Sequence, residues 1–168
     1  MRVIFLDVDG VLHPASAAIR FSLAGSPRAN AQALWLFRWA WILDELLAPY
    51  PDVGIIVHSD WRLFLSSGEL QSLLGPLGRR FIGVTPRGPR PESVAAVLET
   101  ADVEDHLVLE AGIDNAVQSS CQVRCDPMAG LQDFRVQARI RAWLATGDAR
   151  LAQASGAGEA PQRGALPF

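Results

Sequence analysis

The chain has no run of about 18 apolar residues, and it opens Met-Arg directly into a strand-like segment. Neither a membrane span nor a secretory leader is therefore expected, and the reading is a cytoplasmic protein with no membrane partner. Cysteine is scarce, with Cys121 and Cys125 alone. On one extended strand the two would stand roughly 13 Å apart, too far for a disulfide, which needs Cα atoms within about 7 Å. No cluster of further ligands surrounds them, so they read as reduced structural thiols. Excess charge is lacking too: 15 basic against 18 acidic residues leave a net charge of −3. That excludes a basic footprint over the whole surface, and an apolar share of 49% excludes gross disorder. No internal repeat is visible. At 168 residues, one domain with a real core is the expectation. From Gly147 onward large apolar residues are few. The domain is thus expected over 1–146, with a flexible tail over 147–168.

What is present is concentrated in residues 3–14, Val-Ile-Phe-Leu-Asp-Val-Asp-Gly-Val-Leu-His-Pro. Val3 to Leu6 reads as a buried central strand. Asp7 and Asp9 follow it one residue apart. Side chains alternate along an extended chain, so both carboxylates can leave on one side. Two like charges held together call for a cation, and a divalent ion on oxygen ligands answers that need. Gly10 allows a sharp turn where a side chain would block the site.

The remaining chain alternates in type. Residues 13–29 are rich in small residues, Gly and Pro, and read as a loop or hairpin. Asn30 to Ala48 reads as one helix, with Asn30 as N-cap and Pro49 and Pro51 as the stop. Ala33, Leu36, Ala40, Leu43 and Leu47 line one face, while Leu34 and Trp41 fall beside Arg38 and Glu45. Such a helix, apolar almost all round, needs more than one neighbour. The loop at 13–29 or a second subunit supplies it, the latter making a homodimer through helix 30–48. Strands are expected at Val53–His58, Phe81–Thr85, His106–Leu109 and Cys121–Cys125. Helices are expected at Ser67–Leu74, Pro91–Thr100 and Leu131–Ala145. Strand–helix alternation implies an α/β domain with a parallel central sheet and helices on both faces. Ligands then bind beyond the carboxyl ends of the strands, where Asp7, Asp9, Ser59 and Glu110 lie.

Apolar strand, Asp7-Val-Asp9-Gly10-Val11 and the early position together resemble motif I of the haloacid dehalogenase-like (HAD) superfamily. The resemblance implies the three-layer Rossmannoid fold and an aspartyl-phosphate mechanism, with Asp7 as nucleophile and Asp9 as general acid/base. A second Asp argues against dehalogenation, since a halide leaves without a proton. Residues 13–29 then correspond to the flap over the active site and are too short for a large cap domain. His13, Arg20 and Arg28 either face a substrate there or are solvated loop residues. Ser59, after the second strand, matches motif II, and with Gly10 it is a candidate phosphate-binding residue. Motif III needs Lys or Arg. That region has no lysine, so the cation is Arg90, before Pro91, or Arg87. Motif IV departs from the family pattern, which is Asp-Asp or Asp with a second Asp four or five residues on: in Glu110-Ala111-Gly112-Ile113-Asp114 the adjacent position is Ala111 and the first acid is Glu, one methylene longer than Asp. Mg²⁺ would take Asp7, Asp9 and Asp114 as ligands, with Glu110 holding a coordinating water.

A closer match is suggested by Phe5-Leu-Asp-Val-Asp-Gly-Val-Leu12, Ser59-Asp-Trp-Arg62 and Asp126-Pro-Met-Ala-Gly-Leu131. These resemble the small HAD domains similar to Swiss Army Knife RNA-repair proteins. The implied activity is a Mg²⁺-dependent phosphatase acting on a nucleic-acid end or another large phosphorylated substrate. Arg62, Arg87 and His13 are candidate contacts to that substrate, with Trp61 placed to stack a base. The alternative is a HAD-fold binding module that lost turnover with its altered motif IV.

Overall fold

The computed structural model of the chain describes residues 1–112 and 121–156. Five strands form one parallel sheet: β1 (Arg2–Leu6), β2 (Val53–Val57), β3 (Phe81–Val84), β4 (Asp105–Ala111) and β5 (Gln122–Cys125), in the order β3-β2-β1-β4-β5. β1 lies at the centre because its neighbours bury it on both sides. Leu6 is level with Val57 of β2 and with Leu109 of β4. All five residues of β1 and of β2 are buried, as continuous apolar runs of a parallel sheet should be.

The two faces are unequal. Ile4, Leu6, Ile55, Val57, Leu107 and Leu109 point into the larger core, against α2 (Ala40–Leu47), α3 (Ser67–Leu73) and α5 (Phe134–Gly156). Val3, Phe5 and Ile56 face the other way, onto Val94, Val97 and Leu98 of α4 (Arg90–Thr100). By alternation Asp7 follows Val3 and Phe5 to the α4 side.

The expected helix 30–48 is two helices. α1 (Pro27–Ala33) starts earlier, because Ser26 Oγ accepts the Ala29 N–H at 3.2 Å and Pro27 takes the first turn. Asn30 is inside that helix, and its amide ties back to the carbonyls of Ser22 and Ala24. Residues 34–39 then leave helical geometry, with Trp35 and Phe37 at φ 55° and 58°. The loop after β1 captures this main chain: Phe37 N–H goes to His13 Nδ1 at 3.2 Å and Trp39 N–H to the Leu12 carbonyl at 2.9 Å. Of the expected apolar face, Leu36, Ala40, Leu43 and Leu47 are buried but Ala33 is exposed.

β4 runs past Leu109, so Glu110 lies within a strand, level with Arg124 of β5. α5 runs on past Gly147. There the guanidinium of Arg2 crosses beneath the helix and donates to the Leu144 carbonyl at 2.8 Å. A Cβ on Gly147 would stand 1.9 Å from Arg2 Nη1, so glycine is what lets the helix pass over it.

Candidate active site

The main chain after β1 folds back tightly. Val11 and Leu12 donate to the Val8 carbonyl, and Gly10 N–H to the His13 carbonyl at 2.8 Å. Gly10 has φ 74°, and a Cβ there would lie 2.6 Å from Ala111 Cβ and 3.1 Å from Pro127 Cα. Gly10 is therefore a packing requirement, and its N–H is already bonded inside the loop instead of facing a phosphate. The stretch 126–131 walls the loop: Leu131 N–H donates to the Val11 carbonyl, and Ala15 N–H to the Pro127 carbonyl.

Asp7 is 5% exposed. Its Oδ1 accepts the Val8 N–H at 2.8 Å, and its Oδ2 accepts Arg90 Nη1 at 2.6 Å. Arg90 comes from the first turn of α4, packed on the same face of the sheet. Burial alone would lower its pKa, but the hydrogen bond and charge of Asp7, with Asp60 and Glu110 behind, more than offset this and hold it above the ordinary value. Arg87 is exposed in the preceding turn, and Arg90 is the arginine that reaches Asp7.

Asp9 is held at one oxygen. Oδ1 accepts His13 Nε2–H at 2.8 Å and Trp61 Nε1–H at 3.0 Å. Because His13 Nδ1 accepts the Phe37 N–H, the network assigns the ring proton to Nε2. His13 is fully buried, so it orients Asp9 from behind and is no contact for a substrate. Arg62 is buried as well. It donates Nη1 to the Ser59 carbonyl at 2.8 Å and Nη2 to the Pro86 carbonyl at 3.4 Å. It braces the turns after β2 and β3 and does not extend toward a substrate. Ser59 is buried at the end of β2, and its hydroxyl makes no hydrogen bond to the other described residues.

One residue of this site was not singled out from sequence. His58 follows Val57 directly, and alternation from Ile56 places it on Asp7's face. Its Nδ1 lies 3.1 Å from Thr85 Oγ1. Burial first, then Arg90 and Arg62, lower its pKa against the opposing pull of Asp7 and Glu110. The ring thus stays neutral near pH 7 and adds no charge beside Arg90. The signal was there in the period-two pattern of Ile56-Val57-His58.

The expected Mg²⁺ ligands do not all converge. Asp7 and Asp9 stand together at the end of β1. Glu110 instead bonds Arg124 Nε at 3.2 Å and the Gln122 side chain, both from β5. Cross-strand register sets that choice. Asp114 lies outside the described residues. Among the described residues no group of three or more His, Cys, Asp or Glu gathers around one point, so they fit a metal centre only in part.

A small parallel α/β domain with Asp-x-Asp at the end of its central strand, and an arginine on the first Asp, defines a protein of the haloacid dehalogenase type. The chain matches the family described as the HAD domain in Swiss Army Knife RNA repair proteins over residues 3–136, and it belongs to that family. No curated protein and no solved structure matches it. Among the described residues no helix is long and apolar enough to cross a membrane.

Proposed function

We propose that the chain is a phosphoric monoester hydrolase working through an aspartyl phosphate on Asp7. The observation that carries this is the buried Asp7 carboxylate on Arg90 at 2.6 Å, with Asp9 oriented beside it by two N–H donors. Asp7 attacks phosphorus and the ester P–O bond breaks. Asp9 gives its proton to the departing oxygen. The Asp9 carboxylate then takes a proton from water, whose oxygen attacks the phosphorus of the acyl phosphate and frees Asp7 and inorganic phosphate. On phosphorylation Asp7 loses its negative charge, and Asp9, having given its proton to the leaving oxygen, becomes the charged carboxylate. Arg90 cannot lose its own proton, so it remains a fixed counter-charge throughout. Ser59, whose hydroxyl is uncommitted, is the further candidate donor to phosphate.

Mg²⁺ dependence belongs to this reading through the family. The metal would be held by Asp7 and Asp9 with Asp114, and would neutralise phosphate charge. A phosphorylated nucleic-acid end is the substrate proposed from the family's description, in a cytoplasmic setting. Two of the chain's arginines stand away from such a substrate. Arg79 pairs with Asp44 at 2.7 Å, and Arg80 donates to the carbonyls of Leu47, Tyr50 and Val53, both at the far end of the sheet.

Hydrolysis of p-nitrophenyl phosphate and of 3′- and 5′-phosphorylated oligonucleotides with Mg²⁺ tests the reading. Turnover that Asp7→Asn abolishes supports it, and turnover unchanged in Asp7→Asn defeats it. A second reading, a phosphate-binding module without turnover, is favoured by one observation: Glu110 is engaged by Arg124 and Gln122. Binding of inorganic phosphate with no Asp7-dependent hydrolysis would establish that reading.

A further inference from the structure

Two donors on Asp9 Oδ1 have a consequence for Oδ2. An oxygen that accepts two N–H bonds is the poorer place for a proton, so the acidic proton of Asp9 belongs on Oδ2. Oδ2 has no hydrogen-bond partner among the described residues. Beside Asp9 opens a cavity of about 280 Å³, whose other walls are Ala18, Phe21, Leu23, Asp60, Trp61 and Phe64. Its character is aromatic. The Phe21 and Trp61 rings lie 4.5 Å apart at 45°, and Phe64 and Leu23 remain 64% and 47% exposed. Exposed carbon surface around a hollow gains from being covered by a flat apolar group. The wall next to that surface is the proton donor itself. The charged side chains in the lining are Asp9 and Asp60, with Arg62 standing 3.8 Å behind Asp60. A second anion in the cavity would therefore meet the Asp60 carboxylate, and that of Asp9 as well once its proton has left.

We propose that this cavity receives the leaving group of the phosphate ester, and that the leaving group presents a flat ring, uncharged or cationic, to Phe21, Trp61 and Phe64. A nucleoside base and an aryl alcohol share that chemistry. The proposal rests on the phosphatase reading for the orientation of the ester, while the ring site itself is measurable by binding alone. The flap contributes Ala18, Phe21 and Leu23, and the turn after β2 contributes Trp61 and Phe64. The two walls thus come from the segments that flank the catalytic acids.

The test compares phenylphosphonate with methylphosphonate on the full chain, by calorimetry in Mg²⁺ buffer, since the two share a head group and differ by the ring. Phenylphosphonate is expected to bind at least tenfold tighter. Phe64→Ala and Leu23→Gln, both at exposed positions, are each expected to cut that ratio to threefold or less. 4-Carboxyphenylphosphonate is expected to bind more weakly than phenylphosphonate. Adenosine 5′-monophosphate against ribose 5-phosphate separates a base from a simple aryl group as the ring's source. Equal affinity for phenyl- and methylphosphonate, or a ratio untouched by both variants, overturns the proposal. A ring preference that persists in a chain hydrolysing no ester keeps the ring site and removes the phosphatase reading instead.

Discussion

Asp9 shows how a surface acid becomes a directed one. Its backbone leaves the strand with Asp7, but its carboxylate is aimed by His13 and by Trp61, 52 positions away. Trp61→Phe keeps the ring and removes the N–H donor. If Asp9 is the acid, kcat should fall about tenfold, a part of the roughly 10²–10⁴ that general acid catalysis contributes, while KM holds. A rise in KM with kcat unchanged would mean that Trp61 serves binding only. Arg90→Ala leaves Asp7 without its counter-charge. The Arg90 side chain is 40% exposed, so water screens the loss, and a cost of about 1–2 kcal/mol in stability is expected, below the range for fully buried pairs. Chemical denaturation measures it. His58 adds a pH dependence. Its folded pKa is lowered from 6.5 chiefly by burial, so its contribution to stability is present above that value and is lost as pH falls through the folded pKa.

At the scale of elements, the break between α1 and α2 joins fold to site. A continuous helix over 30–48 satisfies local propensity. It gives way because the main chain at Phe37 and Trp39 is bound by His13 and Leu12. Two non-glycine residues at positive φ carry a cost of about 1–2 kcal/mol each, and the loop contacts compensate for it. α5 supplies an element-level prediction of opposite sign to propensity. Gly→Ala inside a helix ordinarily stabilises by about 1 kcal/mol. Gly147→Ala should destabilise instead, by roughly 1–3 kcal/mol as overpacking does, because Arg2 is fixed beneath it by Asp52 and Leu144. In an Arg2→Ala background the same change should become neutral or favourable. A stabilising Gly147→Ala in the unaltered chain would show that α5 does not pack on Arg2.

The stability of the whole molecule carries an alkaline limit set at Cys125. Burial pushes the Cys125 thiol from 9.0 up to about 12. The unfolded chain ionises this thiol first, so stability is fully present below pH 9 and is lost as pH rises toward 12, at up to about 1.4 kcal/mol per pH unit. Cys125→Ala should flatten that alkaline limb in thermal melts. Mg²⁺ binding should stabilise the fold by mass action, by about 1.4 kcal/mol at tenfold Kd, and so raise the melting temperature. Asp114→Ala should reduce that rise more than Glu110→Ala, since Glu110 is already paired. An unchanged melting temperature across millimolar Mg²⁺ would count against a metal site. Leu34 packs partly buried against the core while Trp41 is 53% exposed, and homodimerisation through the 30–48 segment remains the proposal for self-association. Light scattering should then give a dimer that Trp41→Glu returns to monomer.

Residues 3–10 and the strand–helix alternation were legible in the sequence because they rest on local rules. A buried parallel strand must be a continuous apolar run, and carboxylates at its end declare themselves by position. The same rules named Arg90 as a motif III choice, since a helix start beside Pro91 is a local signal. What only the tertiary structure decided is which polar atoms meet. Glu110 goes to Arg124 and Gln122 because β5 lies level with it. Arg62 turns inward because two carbonyls from different turns face it. His13 and Trp61 converge on one oxygen of Asp9 because the loop after β1 and the turn after β2 fold against each other there. Hydrogen bonds span about 3 Å, whereas sequence separation says nothing of distance once the chain has folded.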